Sequence, residues 1–283
     1  MILFVDLVDT CNLKCSDCPV SIYRPDNPSY MGLGLFHELL TKVKREMPGL
    51  STIRLYNWSE PLLHPHLAKF VNMAADFNLR CHISTNLAVR EADLRGLMRS
   101  NPSLLIISVS GFTQAVYKRY HRGGNVEVVK SNLQQLLQLR AELGTTTKIQ
   151  IRFLRFQDNL HEESLWREKG VSVRGSSAVA REVTTPQTAT RFLTPQQDSP
   201  EELHPPGVKR CKQRNNIILD VQGDVYLCCA YWNYPGLRIG NYLDLSLKEI
   251  QALRSRHEAC RYCGFCGNRE GGMNPLPDNI MHP

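Results

Sequence analysis

Residues 2–19 read ILFVDLVDTCNLKCSDCP. The first seven, ILFVDLV, are apolar and β-rich enough to form a buried strand. Three cysteines follow directly, Cys11, Cys15 and Cys18, separated by three and then two residues. A loop that leaves a strand end carrying three thiols points to metal chemistry. A fully protein-ligated cubane iron–sulfur cluster takes one thiolate per iron, four in all. The next cysteine is Cys81, so the loop supplies three and leaves one iron open to a substrate or cofactor. A zinc loop, or three cysteines without a metal role, is the alternative, but zinc usually recruits pairs set farther apart, and the spacing favours iron over zinc.

Outward from this loop, apolar β-rich runs alternate with helix-period stretches. Strand candidates are 2–8, 52–56, 80–85, 104–110, 148–156 and 171–175, with helical candidates at 34–47, 65–77, 89–99, 126–143 and 160–169. Such alternation predicts parallel βα units and a partial (β/α)6 TIM-like barrel over 1–175. In that architecture the loops at the C-terminal ends of the strands build the site, and the cysteine loop is one of them. Residues 176–210 are rich in Ser, Thr, Gln and Pro and read as an extended connecting segment. Beyond it, 216–228 reads as a hairpin turning at Gly223-Asp224, followed by a helix near 246–257. A small domain over 211–270 and an irregular tail over 271–283 complete the expected organisation.

The chain has 283 residues, 42% of them hydrophobic, enough for one large domain or one large and one small. Its start has neither the basic region nor the cleavage site of a secretion signal, and no apolar run is long enough to span a bilayer. Ten cysteines in a chain expected to be soluble and cytoplasmic argue for metal ligation or catalysis over a disulfide framework. The formal net charge of +7 is scattered along the sequence and reads as solvated surface. It suits an anionic substrate or cofactor, and neither a nucleic acid nor a membrane partner is expected.

C-x3-C-x2-C directly after a first strand, in a βα-repeating chain, resembles the radical S-adenosylmethionine (radical SAM) enzymes over essentially the whole length. The resemblance implies a [4Fe–4S] cluster on Cys11, Cys15 and Cys18, whose open iron holds S-adenosylmethionine. It implies reductive cleavage to a 5′-deoxyadenosyl radical, with the electron from an external reductant such as a flavodoxin or ferredoxin. After its second strand the family usually has a Gly-Gly-Glu-Pro turn whose backbone receives the methionine amino group. Here Glu60 and Pro61 match, while Trp58 and Ser59 replace the glycines. Ser84 and Asn86 after the third strand, and Ser108 and Ser110 after the fourth, resemble positions that hold the ribose and the methionine carboxylate. Arg152 on the fifth strand could pair with that carboxylate. Each has a plainer reading: Glu60 as a helix-start acid, the polar residues as caps, Arg152 as half of an internal ion pair. Asp17 stands where the family often has an aromatic residue, so no adenine contact is expected from it. The stretch YHRGG (120–124) reads as a loop and helix entry, with Arg122 a candidate for a substrate anion.

Cys211, Gly223 and Cys228 form C-x11-G-x4-C, followed downstream by Cys260, Cys263 and Cys266. This resembles the SPASM/twitch extension of one radical SAM branch and implies one auxiliary iron–sulfur cluster, expected as [4Fe–4S]. Its ligands would be Cys211, Cys228, Cys260 and Cys263, with Cys266 able to replace Cys263. A small zinc ribbon is the alternative. Cys229 and Cys266 are then spare thiols that could return hydrogen to a substrate radical. Cys81 reads as a core residue. Members of this branch that act on peptides often carry an extra N-terminal peptide-binding domain; with the barrel expected to begin at residue 2 none is expected here, and the expected substrate is a small oxygenated one, a sugar or cyclitol, that is dehydrogenated or epimerised. Peptide modification is the competing enzyme reading, and a metal-binding scaffold the non-enzyme one.

Overall fold

The computed structural model describes residues 1–15, 18–176, 215–229, 231, 233–262 and 278–282. Six parallel strands lie side by side in chain order: β1 Leu3–Val5, β2 Thr52–Arg54, β3 Arg80–Thr85, β4 Leu104–Ser108, β5 Lys148–Phe153 and β6 Ser172–Gly175. Helices α1 Leu33–Glu46, α2 Leu67–Asp76, α3 Leu94–Arg99, α4 Gln114–Tyr120, α5 Val126–Leu143 and α6 Glu163–Arg167 connect them. Five of the expected helices are present. The sixth, α4, is short and is capped by Thr113, whose side chain accepts from Val116 N.

Strand side chains alternate between faces, and in-register parallel partners share a face. Ile53, Cys81, Ile83, Leu105, Ile107, Ile149, Ile151 and Val173 form one face and pack in a single core with Phe36, Leu39, Phe70, Leu133 and Leu136 of the helices. Each such fully buried side chain contributes about 1.5–3 kcal/mol. The alternate residues Phe4, Arg54, His82, Ser84, Leu104, Ile106, Ser108, Gln150, Arg152 and Arg174 lie on the opposite face.

The C-terminal hairpin is not a sheet of its own. Strand β7 Ile217–Leu219 pairs in parallel with the free side of β1, through Leu3↔Ile217 and Val5↔Leu219. Strands β8 Asp224–Tyr226 and β9 Arg238–Asn241 follow antiparallel, giving one open sheet ordered β6-β5-β4-β3-β2-β1-β7-β8-β9. The hairpin turn is held by Asp220 Oδ1, which accepts from Gln222 N and Asp224 N at 2.9 Å each. Gly223 in this turn has φ 79°, which glycine adopts without a Cβ penalty. Helix α7 Leu247–Arg256 begins with a Ser246–Glu249 capping box and is followed by α8 Ala259–Tyr262. The tail expected to be irregular contains α9 Asp278–Met281. Its Ile280 and Met281 are buried in a second core with Phe4, Ile218, Tyr226, Tyr231 and Tyr234. The connecting segment expected over 176–210 lies outside the described residues beyond Ser176. No described helix is long and apolar enough to cross a membrane.

Candidate functional site

The cysteine loop follows β1 at the C-terminal end of the parallel strands. Cys11, Cys15 and Cys18 are half-buried and form no disulfide, whereas Cys81 is buried in the core. Asp17, between Cys15 and Cys18, lies outside the described residues. Nitrogens lie beside two of the sulfurs: Leu13 N and Asn86 Nδ2 donate to Cys11 Sγ at 3.5 Å, and His121 Nδ1 lies 3.8 Å from Cys15 Sγ. Burial, the Glu60 carboxylate and Cys18 push the Cys11 thiol up to about 12. A bound metal displaces such a proton.

The turn after β2 is fastened from two sides. Asp6, at the end of β1, accepts from Asn57 N at 2.9 Å, Trp58 N at 3.2 Å, Ser59 N at 3.2 Å and Ser59 Oγ at 2.6 Å. Burial pushes the Asp6 carboxyl up, and these four hydrogen bonds pull the other way. Glu60 accepts from Leu62 N at 3.0 Å, Thr85 Oγ1 at 2.6 Å and Asn86 N at 2.7 Å, while burial raises it to about 7. Its helix-start role is therefore real, and the same carboxylate also locks the turn to the end of β3. Trp58 Nε1 donates to Tyr231 O at 2.9 Å, joining this turn to the loop that carries Cys228 and Cys229.

Ser84 Oγ and Ser108 Oγ are 3.2 Å apart on the face away from the helices, and Arg152 is the register partner of Ser108 on that face. Asn86 is committed to the cysteine loop, donating to Asn12 Oδ1 at 2.9 Å as well as to Cys11. Ser110 is buried; its N–H donates to His121 Nε2 at 2.9 Å, and its carbonyl accepts from Asn159 Nδ2 at 3.0 Å.

The YHRGG stretch does more than enter a helix. Lys14 N donates to Arg122 O at 2.8 Å, and a Cβ on Gly124 would lie 2.7 Å from Tyr117 Oη and 2.9 Å from Leu13 Cδ2. It is the wall against which the cysteine loop packs. Asp6, Tyr117 and His121 were missed by sequence reasoning. Only Asp6 carried a signal, a lone acid inside an apolar strand run, which must find donors if buried.

Of the second cysteine group, Cys228 and Cys229 are half-buried after β8, packed against the second core. The Cys228 side chain, with Arg254 and Arg54, holds the Cys229 thiol below its ordinary value. Cys260 is exposed on α8, its Sγ 3.7 Å from Arg254 O. Cys211, Cys263 and Cys266 lie outside the described residues.

The first loop fits an iron–sulfur cluster. Among the described residues no three Cys, His, Asp or Glu side chains gather tightly enough for a single metal ion. Three free, half-buried thiols on one loop are the donor set that a cubane taking one thiolate per iron needs for three of its four irons. The Tyr117 hydroxyl is buried without a hydrogen-bond partner among the described residues. Burial, Cys15, Glu60 and Cys11 all raise its pKa, so the hydroxyl keeps its proton.

Comparison with known proteins agrees with this geometry. The radical SAM superfamily profile matches residues 5–149, just over half the chain. An iron–sulfur cluster-binding domain, SPASM, matches residues 211–267. No curated protein matches the chain in sequence. Among solved structures, BtrN in complex with AdoMet and 2-DOIA is 18% identical, covering 95% of this chain and 93% of that one, with TM-score 0.57. Native anSMEcpe with bound AdoMet is 14% identical, covering 99% and 92%, with TM-score 0.68. Streptococcus suis SuiB bound to S-adenosylmethionine is 14% identical, covering 94% and 67%, with TM-score 0.60. At such identities these likenesses establish the fold alone. The chain belongs to the radical SAM superfamily, on its SPASM branch, and its cofactors are accordingly a [4Fe–4S] cluster, S-adenosylmethionine and an auxiliary iron–sulfur cluster.

Proposed function

We propose that the protein dehydrogenates or epimerises a small oxygenated substrate of the sugar or cyclitol type. The observation that carries this reading is the sheet face turned away from the helices. Around the apolar Phe4, Leu104 and Ile106 it presents Arg54, His82, Ser84, Ser108, Gln150, Arg152 and Arg174, a mix of apolar surface and hydrogen-bonding groups suited to a polyhydroxylated molecule.

In this reading Cys11, Cys15 and Cys18 hold the open cluster. The backbone of the Trp58-Ser59-Glu60 turn, with Ser84, Ser108 and Arg152, holds S-adenosylmethionine. Asn86 and Ser110 act one layer back, on the cysteine loop and on His121. Cys211, Cys228, Cys260 and Cys263 or Cys266 hold the auxiliary cluster. The bound cofactors supply a 5′-deoxyadenosyl radical that abstracts hydrogen, with the electron coming from a flavodoxin- or ferredoxin-type donor. The chain's own residues bind, orient and exclude water. Cys229, or Cys266, is placed by this reading as the thiol that returns hydrogen if the reaction is an epimerisation.

The test is anaerobic turnover of reduced enzyme with sugars and cyclitols in heavy water, read by mass spectrometry. Deuterium on the product carbon identifies epimerisation through a thiol, and loss of two hydrogens identifies dehydrogenation. Turnover confined to peptides would overturn the substrate assignment.

A further inference from the structure

His121 links Ser110 to the cysteine loop. It is buried at the end of α4 and stacked on Tyr117, with ring centroids 4.7 Å apart at 24°. Its two nitrogens face opposite partners. The backbone N–H of Ser110 donates to Nε2 at 2.9 Å, and Cys15 Sγ lies 3.8 Å from Nδ1. A backbone N–H can only donate, so Nε2 must be the acceptor and carry no proton. A neutral imidazole then holds its single proton on Nδ1, aimed at the sulfur. The ring is not free to swing away. Ser110 is itself buried and anchored through Asn159 Nδ2 on its carbonyl. The next residue, Arg122, takes a hydrogen bond from Lys14 N of the cysteine loop.

We propose that His121 is a positioning residue that donates an N–H···S hydrogen bond to Cys15 and thereby raises the reduction potential of the cluster Cys15 ligates. Donation withdraws electron density from the thiolate, so the form carrying one more electron gains more from it than the oxidised form. An external one-electron donor then reduces the cluster more completely at a given potential. The inference rests on Cys15 being a cluster ligand, and loss of the S-adenosylmethionine-responsive electron paramagnetic resonance signal in Cys15→Ala checks that separately.

Two measurements test it, neither of which reads turnover. The first is a redox titration of fully reconstituted enzyme, following the paramagnetic signal that changes on adding S-adenosylmethionine. His121→Phe keeps a ring but has no donor. Its reduced-to-oxidised ratio at a fixed potential should fall roughly tenfold, equal to about 59 mV for one electron. His121→Gln can accept from Ser110 N and donate to sulfur at once, and should recover most of that loss. An unchanged potential in an iron-loaded Phe variant, or a Gln variant as low as Phe, overturns the proposal. The second measurement needs no substitution. Wild-type protein labelled with 15N-histidine should show a weak 15N hyperfine coupling to the reduced cluster, and its absence would overturn the proposal even if the Phe variant failed to fold.

Discussion

Replacing Asp6 should separate the support of the turn after β2 from everything else near the site. Oδ1 of Asp6 takes Asn57 N, Trp58 N, Ser59 N and Ser59 Oγ, while Oδ2 lies 3.2 Å from Trp58 N. Asp6→Asn can leave a carbonyl oxygen in the Oδ1 position, so it loses mainly the charge. Hydrogen bonds to charged groups contribute about 1.5–3 kcal/mol against about 1 for neutral ones, which puts this change near 1 kcal/mol. Asp6→Ala orphans three backbone N–H groups at about 1–3 kcal/mol each. The turn can relax toward water, so the total should be about 3 kcal/mol, short of the additive sum. For a chain of this size 1 kcal/mol shifts Tm by about 2–4 °C, so Asp6→Ala should melt roughly 6–12 °C lower and still fold. If that rigidity is what presents the turn to S-adenosylmethionine, cofactor affinity should weaken about tenfold or more in Asp6→Ala, each tenfold being about 1.4 kcal/mol. Asp6→Asn should fall between it and wild type. Anaerobic calorimetric titration of reconstituted protein, beside thermal unfolding by circular dichroism, reads both numbers. A destabilised Asp6→Ala that binds the cofactor as tightly as wild type would remove this turn from the cofactor site. Unchanged stability would mean the hydrogen bonds carry no load.

Three further outcomes follow from named residues. Cys211→Ala should lose about four irons per chain and keep the signal that responds to S-adenosylmethionine; unchanged iron content would count against the auxiliary ligand set. Gly111→Ala would place a Cβ 2.4 Å from Tyr117 N and 2.6 Å from Tyr117 Cα, and such overpacking against backbone costs about 1–3 kcal/mol. Since α4 carries Tyr117 to the cysteine loop, iron retention should fall along with Tm, and a wild-type melting curve would refute the clash. Burial, with Asp224 and Asp6 adding to it, raises Asp220 from 3.8 to about 6. The folded state thus binds the proton more tightly than the unfolded one. Its contribution to stability is complete below the unfolded value and is lost as pH rises from about 4 through 6. Asp220→Asn keeps an acceptor for Gln222 N and Asp224 N but does not titrate, so its Tm should gain on wild type between pH 4 and 7; a constant difference would show that the group is not shifted.

Much of this protein could be read before any coordinates. Apolar, β-rich runs alternating with helix-period stretches place the six barrel strands, because parallel strands backed by helices bury short apolar segments. The spacing of Cys11, Cys15 and Cys18, next to the end of the first such run, is what proposes this loop for the cluster, because ligation of a compact cluster by one loop needs thiols within a few residues. The same local logic finds the Gly223 turn, where positive φ favours one residue type.

What stayed hidden depends on partners distant in sequence. That β7 joins the barrel sheet through β1 rests on Leu3↔Ile217 and Val5↔Leu219, and a three-residue strand carries no mark of which edge it will choose. Asp6 meets its donors some fifty residues away, Glu60 spans to Thr85 and Asn86, and His121 reaches both Ser110 and Cys15. Hydrogen bonds of this kind are set by where the sheet brings strand ends together. They depend on angles and distances of a few ångströms, and linear spacing holds no record of those. The chemistry proposed for the cysteine loop is thus written locally, while the groups that hold that loop in place are assembled only by folding.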